Sequence, residues 1–148
     1  MLKVFISGLE KQTGKTIVTA GLAATMQSLS YSTAVYKPIQ TNAETLHGFK
    51  TSPDLTVIKK FDPNISTDST YVLKSPAPPF ISSYEDNVKI DVNNIYNDFL
   101  ASDKNSDCLI VEGANSIAAP IAEHFTEINL VKALNIPLVL VINPKMIS

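Results

Sequence analysis

A glycine-bounded loop between an apolar strand and an amphipathic helix constrains this chain more than any other feature. Gly8-Leu9-Glu10-Lys11-Gln12-Thr13-Gly14-Lys15-Thr16 follows Val4-Phe5-Ile6 and opens onto Ile17-Val18. Such a loop gathers unpaired backbone N–H groups and the positive end of a helix dipole at one point, which makes it a phosphate site. Gly14 lets the backbone approach the anion, Lys15 reaches the β- and γ-phosphate oxygens, and the Thr16 hydroxyl takes a Mg²⁺ position. Five residues separate the two glycines, against four in the commonest spacing. Gly-Lys-Thr alone is a weak signal; its place between a strand and a helix makes it specific.

The chain has 148 residues, enough to bury a core without disulfides or metal. A net charge of −2 and a pI near 5.6 oppose nucleic acid as a main partner, since phosphate backbones are bound by basic faces. The one cysteine, Cys108, lies in the apolar run Cys108-Leu109-Ile110-Val111 and reads as a small buried side chain. Without a disulfide framework, a signal-peptide pattern or a membrane-length apolar window, the expectation is a soluble, cytoplasmic protein with no membrane contact.

Along the chain, Ile17, Ala20, Gly21, Ala24 and Leu29 keep helical spacing, and the helix is expected to end around Ser28 to Ser30. Thr33-Ala34-Val35-Tyr36 reads as a strand stopped by Lys37-Pro38, because proline denies the ladder a donor. Ligands collect at the carboxyl ends of strands in open α/β sheets, so Lys37 arrives where the phosphate loop points. Residues 45–53 read as a polar, irregular, mobile loop. Asp54 opens a short helical segment over residues 55–61, either as its cap or as a metal ligand.

Tyr71-Val72-Leu73 is extended, and the prolines from Pro76 to Pro79 form a stiff connector. Asp91 caps a helix that turns Val92, Ile95, Tyr96, Phe99 and Leu100 inward. Cys108 to Val111 reads as a strand buried on both faces of a parallel sheet, ending in Glu112-Gly113-Ala114-Asn115. A carboxylate there suits Mg²⁺, which takes one or two carboxylates plus phosphate oxygens and water. Residues 126–134 read as a helix and residues 137–142 as another fully buried strand. His47 and His124 fall in loop contexts with surface or structural roles. Alternating strands and helices predict an α/β fold: a three-layer sandwich of the P-loop NTPase type with a mainly parallel sheet, in one nucleotide-binding domain spanning residues 1–148.

Taken together, these stretches resemble the dethiobiotin synthetase family. Gly8 to Thr16 has its wide-spaced loop, Tyr36-Lys37-Pro38-Ile39-Gln40-Thr41 its Lys-Pro strand end, and Val111-Glu112-Gly113-Ala114 its Val-Glu-Gly-Ala segment; Pro120-Ile121 and Ile136 to Val141 extend the likeness. The resemblance implies an ATP-dependent cyclo-ligase with Mg²⁺ that closes 7,8-diaminononanoate and CO2 into a ureido ring. It implies Lys37 and Lys15 as catalytic groups, and Thr16, Asp54 and Glu112 as the metal set. Nucleotide contacts fall on Gln12, Thr13, Gly14, Lys15, Thr16 and Ile17, and on Asp54, Glu112, Gly113, Ala114 and Asn115. Thr41 contacts the diamine, and a homodimer is implied.

The likeness is broken in three places. Leu9-Glu10-Lys11 replaces the family's Thr-Asp-Thr and sets an extra cation near the phosphates; Asn115-Ser116 replaces a glycine pair; and family members continue beyond the point matched by Ser148, so the domain is expected to be incomplete at its C-terminus. Two other readings stay open: a non-catalytic or divergent nucleotide-binding relative, and a partitioning-type switch ATPase with Lys11 as its early loop lysine.

Overall fold

The computed structural model describes residues 2–146. β1 (Leu2–Gly8) leads through the phosphate loop into α1 (Lys15–Ser28), followed by β2 (Thr33–Tyr36) and β3 (Ile39–Gln40). A hairpin of β4 (Glu44–Leu46) and β5 (Phe49–Thr51) precedes α2 (Pro53–Phe61), β6 (Ser66–Asp68) and β7 (Tyr71–Val72). α3 (Pro79–Glu85), α4 (Val92–Lys104) and β8 (Cys108–Glu112) come next. β9 (Pro120–Ala122), β10 (Phe125–Thr126), α5 (Glu127–Leu134) and β11 (Leu138–Val141) close the order, before a 3₁₀ turn at Pro144–Met146.

Five strands form the central sheet in the order β11-β1-β8-β2-β6, and every pairing in it is parallel. Side chains alternate across it, as a strand's period of two requires. Phe5, Ala34, Tyr36, Leu109 and Val111 face one core with Ile95 and Phe99 of α4 and Leu130, Val131 and Leu134 of α5. Ile6, Val35, Cys108 and Ile110 face the other, with Ala20 and Ala23 of α1 and Leu55 and Ile58 of α2. The α/β three-layer fold expected from the sequence is therefore present, and β8 is buried along its whole length.

Several local expectations are corrected. Residues 45–53 are no irregular loop: β4 and β5 pair antiparallel, with Leu46 opposite Phe49. The connecting His47 and Gly48 have φ of 51° and 82°, and a two-residue turn with both residues left-handed matches the twist of a hairpin. On α1 the inward face is Lys15, Thr19, Ala20 and Ala23, while Ile17 and Leu29 are exposed, because α1 packs through its small residues against α2 and the sheet. On α4 only Ile95 and Phe99 are buried; Tyr96 and Leu100 lie at the rim. β11 is not fully buried: among the described residues it pairs with β1 alone, at the sheet edge, and Leu138, Val139 and Leu140 are each more than a third exposed. Asp54 does not cap α2; the Ser52 hydroxyl accepts from Leu55 N–H at 3.2 Å instead. No described helix is long and apolar enough to cross a membrane.

Truncating Ile110, fully buried between β1 and β2, is expected to lower unfolding free energy by about 2–5 kcal/mol. Leu140→Ala at the open edge is expected to cost less than about 1 kcal/mol. Urea titration of both variants checks the contrast; equal losses would place β11 inside a core.

Candidate functional site

The site lies at the carboxyl ends of β1, β2 and β8, where three chain segments meet around Lys37. β2 is buried along all four residues, so the chain leaving it carries Lys37 into the sheet rim with only 1% of its surface exposed. Its Nζ stands 2.9 Å from Asp54 Oδ2 and 3.0 Å from Glu112 Oε1, and also donates to the Gly113 carbonyl at 3.0 Å. Burial alone would lower the Lys37 ammonium, but the charges of Glu112 and Asp54 outweigh it and hold the group above its ordinary value. Burial would likewise raise the Asp54 carboxyl, yet Lys37 beside it holds it below the usual carboxylate value. One ammonium thus answers two carboxylates.

The phosphate loop approaches from the other side. Gly14, at φ 98°, caps α1 without a side chain, which leaves amides of the first turn for an anion. Lys15 is 7% exposed and donates to the Asn115 carbonyl at 2.5 Å; burial first, and then the charge on Lys37, lower its ammonium from the ordinary lysine value. The Thr16 hydroxyl donates to Glu112 Oε1 at 2.8 Å. A cavity of about 320 Å³ opens here, lined by Gln12, Gly14, Lys15, Thr16 and Ile17, by Thr41 and Asp54, and by Glu112 and Ala114.

Most of the residues singled out in the sequence therefore share one cavity, although they span positions 12 to 114; Lys37, bonded to Asp54 and Glu112, is not among its lining residues. The Thr13 side chain does not line it: its hydroxyl is buried against Gly8 and has no partner among the described residues. Gly113 and Asn115 contribute through their carbonyls, on Lys37 and Lys15. Lys11 lines the cavity with its ammonium on the Pro76 carbonyl at 3.1 Å, which ties the phosphate loop to the proline connector. His47 and His124 are surface residues of tight turns.

The donor set fits a hard cation. Glu112 is fully buried; its Oε1 accepts from Thr16 and Lys37, while its Oε2 has no partner among the described residues, so one carboxylate oxygen is left over. No group of three or more His, Cys, Asp or Glu side chains suited to a metal occurs among the described residues. A cation held here would take the rest of its shell from phosphate oxygens and water, as Mg²⁺ does.

Glu127, Ser7 and Gln40 are site residues that sequence reasoning missed. Glu127 is 1% exposed, and its carboxylate accepts from the Ser7 hydroxyl and from Ala114 N–H. Following Thr126 at the start of α5, it reads locally as an ordinary first-turn acid. Gln40 is buried; its carbonyl oxygen accepts from the Ser52 hydroxyl at 2.5 Å, joining the Lys37 segment to the start of α2 and hence to Asp54.

Lys37→Met leaves Asp54 and Glu112 without their shared counter-ion and is expected to lower unfolding free energy by about 3–5 kcal/mol, read by urea titration at neutral pH. A second expectation concerns acid. Because the folded Asp54 carboxyl is held low, the unfolded chain takes up its proton first; this contribution is present above the unfolded value near 3.8 and disappears as pH falls through the folded one. Asp54→Asn should therefore show a shallower loss of melting temperature below pH 4 than the parent chain.

Residues 3–146 match the AAA domain family. Three proteins named ATP-dependent dethiobiotin synthetase BioD are among those similar to the chain. That of Anoxybacillus flavithermus is 32% identical over 139 residues, 93% of this chain and 63% of that protein. The one from Fusobacterium nucleatum is 31% identical over 144 residues, covering 95% and 65%. The Nitrosopumilus maritimus protein is 30% identical over 150 residues, covering 98% and 64%. The chain thus spans under two thirds of the length of these curated relatives.

Proposed function

The chain belongs to the AAA domain family, and from that premise we propose that it binds Mg·ATP and uses it as a dethiobiotin synthetase does, to carboxylate and cyclise 7,8-diaminononanoate with CO2. One observation carries this reading: the buried ammonium of Lys37 is paired with Asp54 and Glu112, and those two carboxylates line one cavity together with Lys15 and the Thr16 hydroxyl from a separate segment. Binding a triphosphate alone asks for the loop and Lys15. A second, buried ammonium at a strand end suits a reaction that brings two anions together.

In this scheme the diamine first takes up CO2 as a carbamate. A carbamate oxygen attacks the γ-phosphorus and ADP leaves; the second amine then attacks the carbamoyl carbon and inorganic phosphate leaves. Lys15 offsets charge on the phosphoryl oxygens, and Lys37 holds carbamate and phosphoryl oxygens together, the principal demand of phosphoryl transfer. Thr41, 6% exposed, lines the cavity and in this reading contacts the diamine. Thr16, Asp54 and Glu112 would hold Mg²⁺, which when bound neutralises phosphate charge. The homodimer implied by the family resemblance belongs to the same proposal.

Calorimetric titration with Mg·ATP and with 7,8-diaminononanoate, followed by an assay of released phosphate, tests the reading. Phosphate release should require both diamine and bicarbonate, and Lys15→Gln should slow it by about 10²–10³-fold. Nucleotide binding with no diamine response would overturn the ligase reading and favour a non-catalytic relative. Equal hydrolysis with and without diamine would favour a switch ATPase.

A further inference from the structure

We infer that Glu127 is a positioning residue that reaches across the sheet rim from the α5 layer and holds the Gly113–Asn115 loop where its carbonyls receive Lys37 and Lys15. The two lysines belong to the layer of α1 and α2, whereas Glu127 comes from the opposite side. On β1, Phe5 and Ser7 share the face that packs against α5, and Ser7 donates to Glu127 there. The other carboxylate oxygen accepts from Ala114 N–H at 2.8 Å. The backbone amides of Glu127 and Ile128 bond the segment that follows the loop, at the Ala119 and Ile117 carbonyls, both at 3.0 Å.

Gly113 is pressed so closely on the carboxylate that a Cβ there would overlap it, so the loop and Glu127 are fitted to each other. The neighbouring carbonyls of Gly113 and Asn115 are the ones that accept from Lys37 and Lys15. A buried carboxylate is costly, and here burial pushes its titration upward against the hydrogen bonds that Ser7 and Ala114 supply. Among the described residues the side-chain hydrogen-bond partners of Glu127 are Ser7 and Ala114, so it is bonded to neither cation; its charge also favours the Lys15 ammonium through space, and Glu127→Gln, which keeps both hydrogen bonds and removes the charge, separates the two effects.

The test needs a readout on the ligand-free chain, because the nucleotide arm rests on the function proposed above. Each chain is treated with acetic anhydride and the rate of acetylation at every lysine is read by mass spectrometry, with exposed Lys59, Lys60 and Lys89 as internal references. Glu127→Ala should raise acetylation of Lys15 and Lys37 by about tenfold, the scale of losing one hydrogen bond to a charged group, and leave the references unchanged. Glu127→Gln, whose amide oxygen can still accept from Ala114 and whose amide nitrogen can donate to Ser7, should restore the parent rates. Ser7→Ala removes one donor and should give an intermediate increase, which keeps the test alive if Glu127→Ala does not fold. Unchanged Lys15 and Lys37 rates in a variant that still melts cooperatively would overturn the positioning role, as would failure of Gln to restore them. Titration with Mg·ATP is the second arm: affinity about tenfold weaker in Glu127→Ala and within twofold in Glu127→Gln extends the role to ligand binding. A parent chain that binds no nucleotide would reject the function above, while the acetylation rates would still judge the strut.

Discussion

The buried ammonium of Lys37 is the point on which the site depends. Two carboxylates at a sheet rim repel one another, and one of them, Glu112, is wholly removed from water. A single cation between them makes that arrangement tolerable, since a buried charge is stable only when paired and hydrogen-bonded. It also decides where the loops lie. Asp54 can stand at the rim only because α2 is started by Ser52, which Gln40 holds, and Gln40 lies three residues beyond Lys37. The segment that supplies the cation therefore also fixes one of its anions.

The sheet supplies the other half of that geometry. β1, β8 and β2 are adjacent and parallel, so their carboxyl ends, carrying Ser7, Glu112 and Lys37, emerge side by side. Alternation along the strands then sorts these groups between the layers. Glu112 follows Ile110 on the α1 face and meets Thr16, while Ser7 follows Phe5 on the α5 face and meets Glu127. The Gly113–Asn115 loop crosses between the two layers. Its carbonyls face the lysines and its Ala114 amide faces Glu127, so both networks run through three residues of backbone.

Much of this was legible in the sequence because the signals are local. A strand, a glycine-bounded loop and Gly-Lys-Thr mark a candidate phosphate loop without knowledge of anything distant, and the continuous apolar run at Cys108 to Val111 identifies a buried parallel strand. Legibility failed where burial depends on what lies opposite. Ile17 and Leu29 fit a helical stripe, yet α1 turns Thr19, Ala20 and Ala23 inward, because close approach to α2 and the sheet favours small side chains. Residues 137–142 read as a fully buried strand, yet composition carries no information on whether a strand has one neighbour or two. The His47-Gly48 turn was missed because its flanking strands are short and polar, too weak a pattern to stand out from a loop.

The sequence by itself determined the kind of fold and the chemical vocabulary of the site: an α/β sandwich with a phosphate loop, a lysine at one strand end and a glutamate at another. These follow from periodicity and from backbone rules that act over a few residues. Tertiary structure alone decided the pairings. Asp54 became a partner of Lys37 rather than a helix cap, Lys15 came to rest on the Asn115 carbonyl, and Glu127, an unremarked acid in a helix's first turn, became a buried strut behind the site. The physical reason is that a charged side chain's role is set by its desolvation and by the groups facing it, and both are contributed by segments remote in the chain.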